Sequence, residues 1–462
     1  MCEAEGVPSS SLVSEGFTSQ ASAVSLGMGV RQMPIAVVPG HPGVQSAEEL
    51  RRNIVELTVD RIVENLTRGP AAAPNLEEPG SRHIVFAGDF DAVNRYFQDN
   101  ELADGLPIVP PNRERIEQFL AYTDRDPDEV LGIVLPDNRP ATIWSIAVNG
   151  VMAGCRAEYM PILVALIEAM VDPQYGVEHS GNTPAGETLI TLNGPIIKEL
   201  GFNYTQGVIR DGFVPNTSIG RFWRLYLRNV AGFLPHKNDK CTFGNTWRVV
   251  LAENEDVLNE IGWPTVAMDM GLARGENAIT TARYTGGNVI VSVSGTTPEQ
   301  MLPYLADTVV RQISWQLMFT VGQGMGTLRP LILLSPILAR TIAKAGWSKA
   351  DVQRYLFEHA RIPAFEFERI LRDWTVKPVW NLAEEVRGGR IPPVFRDSDD
   401  PDRMVPLVWQ ADHYMIAVSG DVLRTNAYVF AHNGLLGFPV VKRIALPRKW
   451  HELRPVPKHI TS

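Results

Sequence analysis

Between residues 149 and 161 the chain reads Asn149-Gly150-Val151-Met152-Ala153-Gly154-Cys155-Arg156-Ala157-Glu158-Tyr159-Met160-Pro161. A thiol, a guanidinium, a carboxylate, a phenol and an amide thus interrupt two apolar stretches, 140–148 and 162–170. Apolar residues at 162, 163, 166, 167 and 170 predict one face of a helix. A helix start offers free N–H groups and partial positive charge, and a Cys held there beside an Arg becomes a thiolate near neutral pH. On that reading Cys155 is a nucleophile or redox thiol, and Arg156 steadies its thiolate or binds an anionic substrate. Glu158 moves protons, and Asn149 and Tyr159 contact the substrate. The competing reading makes Cys155 a small buried residue at a tight helix contact, with Gly150 and Gly154 allowing the close approach.

Further polar groups lie downstream. Glu253-Asn254-Glu255 follows a strand-like run, Trp247–Leu251, and suits general acid–base work by Glu255 or capture of a divalent metal by Glu253 and Glu255. Asn193, Asn203 and Asn216 sit beside Gly or Pro turns and either make those turns or hydrogen-bond a polar substrate, and Asn254 joins Asn193 as a group that could orient it. Arg221, Arg224 and Arg228 share one side of a helix expected over 217–231. Arg221 could clamp a carboxylate with both arms, although a solvated helix face is the favoured alternative, and Asp104, in the extended Pro/Gly-rich segment 104–111, joins the substrate-binding candidates. Gly322-Gln323-Gly324-Met325-Gly326 fits neither the dinucleotide nor the Walker spacing. Residues 335–358 imitate a helix-turn-helix, but the acidic chain argues against DNA.

The elements that must hold these groups read as α/β. In the first seventy residues, strands are expected over 7–13 and 33–38 and helices over 15–28 and 46–66, the second opened by a Ser46/Glu49 capping box. Two strands and two helices make a poor independent core. The expected architecture is therefore a partial α/β unit, 1–68, packed on a larger mixed α/β domain, 83–462, through a Pro/Ala/Gly linker, 69–82. In the body, strands are expected at 189–192, 247–251, 288–294, 331–334 and 414–419. Helices are expected at 89–98, 112–122, 217–231 and 336–346, with another opening at Ser348-Lys-Ala-Asp351.

Composition narrows the function classes. Lys and Arg number 43 against 52 Asp and Glu, a net charge of −9 that disfavours nucleic-acid and anionic-membrane partners. Three cysteines are too few for a disulfide framework and fit a cytoplasmic protein. The first residues are acidic and lack an apolar leader core, and no stretch reads as membrane-spanning. Nine histidines show no zinc-site spacing.

Several motifs, in one order, resemble the UGSC-type (seleno)protein family over residues 100–440. They are Ala103-Asp104-Gly-Leu-Pro107, Asn149 to Tyr159, Asn193-Gly-Pro195, Ile219-Gly-Arg221, Ala252-Glu-Asn-Glu255 and Gly346-Trp-Ser-Lys-Ala-Asp351. Ala157 stands where the pattern has Pro, and Ser419-Gly420-Asp421 where it has a Gly pair. That family is named for a selenocysteine (or cysteine)-Gly-Ser-Cys motif in an N-terminal α/β domain. Residues 6–66 resemble the second half of that domain, and the motif itself does not occur here. The resemblance implies redox chemistry on a small polar organic molecule. This chain would be the large subunit of a heteromeric, oligomeric thiol- or selenol-dependent oxidoreductase. The motif would sit on a small subunit docked on 1–66, or in a frame upstream of a start read too late. No cofactor beyond protein thiols is implied. A metal-assisted hydrolase or lyase, and a non-catalytic scaffold subunit, are the alternatives.

Overall fold

A computed structural model describes residues 2–27, 30, 33–68, 80–245, 247–322, 324–374, 380–434 and 437–454. The fold is mixed α/β, as expected. In the N-terminal unit, strands β1 (Ser11–Ser14) and β2 (Ile35–Val38) pair in parallel. The helix Thr18–Gly27 connects them, and a continuous helical stretch over 47–67 follows. The capping box forms as read: Ser46 Oγ accepts from the Glu49 amide while Glu49 answers the Ser46 amide. Gly27 lies so close to the body that an added Cβ would fall 2.5 Å from the Asp137 backbone, and Lys240 Nζ donates to the Gly16 carbonyl at 3.1 Å. Most of the expected linker, 69–79, lies outside the described residues.

The body opens with the expected helices, Phe90–Asp99 and Arg113–Leu120, followed by a hairpin not foreseen in sequence, β3 (Val130–Val134) and β4 (Arg139–Thr142). Two small strands, β9 (Arg361–Pro363) and β10 (Met404–Pro406), pair elsewhere. The principal sheet contains β5 (Glu187–Asn193), β6 (Val250–Ala252), β7 (Ala278–Ile290), β8 (Leu331–Leu334), β11 (Met415–Val418), β12 (Ala427–His432) and β13 (Val440–Arg443). Its order is β11-β8-β12-β7-β5-β6, with β13 paired to the first part of β7. The pairs β5/β6 and β8/β11 are parallel; the others are antiparallel.

Side chains alternate across a strand, and here both faces are apolar. Leu189, Leu251, Ala282, Leu331, Leu333, Ala417 and Phe430, drawn from six strands, form one cluster of their own. Their neighbours Ile190, Leu192, Val250 and Ile279 pack against the helices Ile143–Met152, Met160–Met170 and Val214–Asn229. Ile332, Leu334, Ile416 and Val418 pack against the helices Pro298–Ile313, Pro336–Lys344 and Lys349–His359. The sheet therefore curls around the first cluster, and its two end strands, β6 and β11, meet.

Glu253 sits at that meeting with 0 % exposure. Its Oε1 accepts from the Val418 amide at 3.2 Å, and its Oε2 from the Val266 amide at 2.7 Å and Asn193 Nδ2 at 2.8 Å. The Asn254 amide donates to the Val418 carbonyl at 2.8 Å, and Ser419 Oγ donates to the Ala252 carbonyl at 2.7 Å. Lys349, 2 % exposed, closes the back of the seam on Asp269 at 2.7 Å and the Ile416 carbonyl at 3.0 Å.

Two expectations are corrected. The strand read at 288–294 is the far end of the longer β7, which stops at Ile290; Ser292 has a φ of +54°, and the ladder is set by β5, β12 and β13 rather than by the β-branched run. The helix read from Thr217 starts at Val214, because Pro215 fits the first turn. Truncating Glu253 to Ala strands three buried donors, so urea unfolding should show a loss of about 3 kcal/mol or more. A wild-type midpoint for that variant would show that the seam does not need the carboxylate.

Candidate functional site

The cluster around Cys155 does not assemble as the sequence suggests. The helix Ile143–Met152 ends there: Gly154 adopts a left-handed φ of +77°, and the Cys155 amide caps the Gly150 carbonyl at 3.0 Å. Cys155 thus lies between the end of one helix and the short 3-10 turn Ala157–Tyr159 that leads directly into the helix Met160–Met170. Burial pushes its thiol up to about 12; Ser218 and the Arg221 cation pull the other way without offsetting it. The expected thiolate is therefore corrected to a buried, protonated thiol, and the tight-contact reading holds. A Cβ on Gly150 would stand 2.7 Å from Leu163 and 2.8 Å from Phe119.

The neighbours follow suit. Arg156 points outward, with a side chain 61 % exposed and its guanidinium 4.0 Å from Glu158 rather than on the sulfur. Asn149 is buried, donating to the Ser145 carbonyl and accepting from Asn229. Tyr159 is buried in the core, where loss of solvent raises its phenol further. Arg221 is already filled: Nε and Nη2 grip Asp104 at 3.0 and 2.8 Å, and Nη2 also reaches the Leu106 and Pro107 carbonyls. The clamp read as a substrate site is an internal ion pair that fastens segment 104–107 to the helix, and it occupies Asp104 too. The Arg221 and Arg248 cations hold that carboxyl below its usual range, against burial.

The second constellation does assemble. Strands β5 and β6 run in parallel, so Asn193 and Glu253 emerge side by side at their carboxyl ends, the place where open α/β sheets leave crevices. There a cleft of about 330 Å³ is lined by Gly194, Lys198, Tyr204, Glu253, Glu255 and Arg274, among others. Glu255 Oε1 accepts from the Gly194 amide at 2.6 Å and from Asn193 Nδ2 at 3.3 Å. Gly194 needs its φ of +102° to present that amide, and an added Cβ would strike Asn277 at 2.4 Å.

Within this cleft the roles differ from those read in sequence. Asn193 is 1 % exposed; its amide group ties both glutamates and its Oδ1 accepts from the Ala267 amide at 3.2 Å. Asn254 caps the helix Glu255–Ile261 through the Val257 amide. Both asparagines position the site rather than face a substrate. Burial raises the Glu253 carboxyl, against the pull of Lys349 and the amide donors. Its lone pairs are committed to N–H groups, and among the described residues no group of three His, Cys, Asp or Glu could hold a metal ion. Glu255, by contrast, lines open space.

Sequence reading missed Lys198, Tyr204, Asp256 and Arg274. Lys198 pairs with Asp256 at 2.5 Å, Tyr204 donates to Asp256 at 3.2 Å, and Arg274 donates to Asn259 at 2.5 Å. Lys198 and Asp256 follow the two flagged motifs by three and one residues, which is the one signal that pointed to them.

Among known proteins, residues 1–68 match the UGSC family, and the family resemblance is shown over that segment. The motifs between 100 and 440 lie outside the matched residues. No curated protein and no solved structure matches the chain. No helix among the described residues is long and apolar enough to cross a membrane.

The protonation of Cys155 is directly measurable. At pH 8 a thiol held near 12 carries about a thousandfold fewer thiolates than one at the ordinary 9. With a maleimide reagent the exposed Cys2 should label quickly and Cys155 only after denaturation; equal rates in the native protein would contradict the buried, protonated thiol.

Proposed function

We propose that this chain is the large, substrate-binding member of a thiol- or selenol-dependent oxidoreductase, with the reactive sulfur or selenium carried by a small α/β partner rather than by Cys155. The observation that carries this reading is the apolar face open on the segment that matches the UGSC family. Val55, Val59, Val63 and Leu66 are 57, 37, 54 and 48 % exposed, and their spacing of four, four and three residues follows one side of the helical stretch. Leu12 and Val37 are exposed on the small parallel sheet as well. Valines and leucines left open at helical spacing are what a partner would cover.

In this reading the substrate is a small polar organic molecule held in the Glu255 cleft. Glu255 is the proton carrier, oriented by the Gly194 amide and by Asn193. Tyr204, Lys198 and Arg274 offer hydrogen bonds to substrate oxygens. A cytoplasmic setting suits three unpaired cysteines. The scaffold reading gains from one observation: Asn149, Asn193, Asn254 and Arg221 all serve the fold.

Co-expression with the product of the neighbouring reading frame, followed by size-exclusion chromatography, tests the proposal. A stable complex carrying the thiol or selenol motif is expected, and Val63→Asp should weaken it at least tenfold without shifting the unfolding midpoint by more than about 0.5 kcal/mol. A chain that elutes alone, with its elution unaltered by Val63→Asp, would count against it. Glu255→Gln should then lower turnover of that complex by about a hundredfold or more.

A further inference from the structure

On the other side of the Glu253 seam lies a larger cavity, about 440 Å³. The Val266 amide that binds Glu253 belongs to its wall, and it opens near the amino-terminal ends of β8 and β11, marked by Arg329 and Met415. Arg329 is partly buried and held by one arm. Its Nη1 donates to the Gly326 and Leu328 carbonyls at 2.8 and 2.9 Å and lies 2.9 Å from His413 Nδ1. A guanidinium only donates, so His413 Nδ1 accepts and its proton sits on Nε2. Burial, with Arg329 beside it, holds His413 down to about 3, which keeps the ring neutral.

Two sets of donors are left over. Among the described residues no carboxylate lies within ion-pair distance of Arg329, and neither its Nε and Nη2 nor His413 Nε2 has a hydrogen-bond partner. Burial pulls the Arg329 guanidinium down to about 10 against the field of Asp412, which stands beyond ion-pair distance, and the Phe438 ring lies 5.7 Å from it. Around these donors the wall is mixed: Val266, Met270, Met415, Phe438 and Pro439 are its apolar part, and Gln174, Gln353 and Gln410 its neutral polar part. Two carboxylates also line the cavity, Asp412 and the Lys349-bound Asp269, and they oppose a multiply charged anion.

We infer that this cavity is a binding site for a small organic monocarboxylate, its carboxylate seated on Arg329 and His413 and its aliphatic or aromatic body against Met270, Met415 and Phe438. A planar fork with free donors matches a carboxylate in two-point fashion. The site is separate from the Glu255 cleft and does not depend on the redox reading.

Calorimetric titration of the full-length protein with phenylacetate, 4-methylpentanoate, phenylacetamide and inorganic phosphate tests it. At least one of the two carboxylates should bind at least tenfold more tightly than phenylacetamide and than phosphate. Arg329→Gln should weaken that binding at least tenfold. Met270→Glu, which leaves Arg329 untouched and adds a third carboxylate to the wall, should weaken it equally and guards against misfolding of the first variant. Absence of binding by both carboxylates, equal binding of phenylacetamide or phosphate, or undiminished binding by a folded Met270→Glu protein would overturn the assignment.

Discussion

Everything in the body of this protein hangs on a carboxylate that water never reaches. Glu253 ends β6 and accepts hydrogen bonds from β11, from the helical turn after Thr265, and from the last residue of β5. A carboxyl group in such a place is tolerated only when its oxygens are hydrogen-bonded, and Lys349 pulls against the burial that raises it. A sheet of mixed direction with two open ends would expose unpaired edges. Here the ends meet, and the acidic side chain joins them where no backbone ladder does.

The same seam divides the chemistry. On one side the parallel strands β5 and β6 set the buried Asn193 and Glu253 beneath a cleft into which Glu255 opens. On the other, Val266 and Asp269 line a cavity that holds Arg329 and a partly apolar wall. Lys349 reaches the second region through Asp269 and the first through its field on Glu253. The helical layer around Cys155, with residues 0–9 % exposed, supplies packing instead. Its arginines each answer an internal acceptor, Arg221 on Asp104, Arg224 on Glu187 and Asp239, and Arg228 on the Glu101 carbonyl.

Local signals were read well from the sequence. The capping boxes at Ser46 and Ser348, the strand Leu331–Leu334, and the caps at Asp89 and Asn112 stand within a residue or two of their expected places. Each depends on residues only a few positions apart. Cys155 went astray because the sequence does not show that packing buries the sulfur, and burial raises its thiol. Arg221 was read as vacant because its partner lies 117 residues away. Arg329 and His413, 84 residues apart, carry no motif at all; only the fold makes them neighbours. The Glu253/Glu255 pair was found because one motif holds both, yet its division into a buried strut and an open carboxylate needed Asn193 and Val266 in place.

The seam is the central claim, and native-state hydrogen exchange of the Val266 and Val418 amides examines it most directly. Both should exchange only through global unfolding, with protection matching the strand core at Ile332 and Leu192. If these two amides instead exchanged as fast as those of the exposed helix 47–67 while the strand core stayed protected, the sheet would not be closed at Glu253, and the arrangement of cleft and cavity around it would fail.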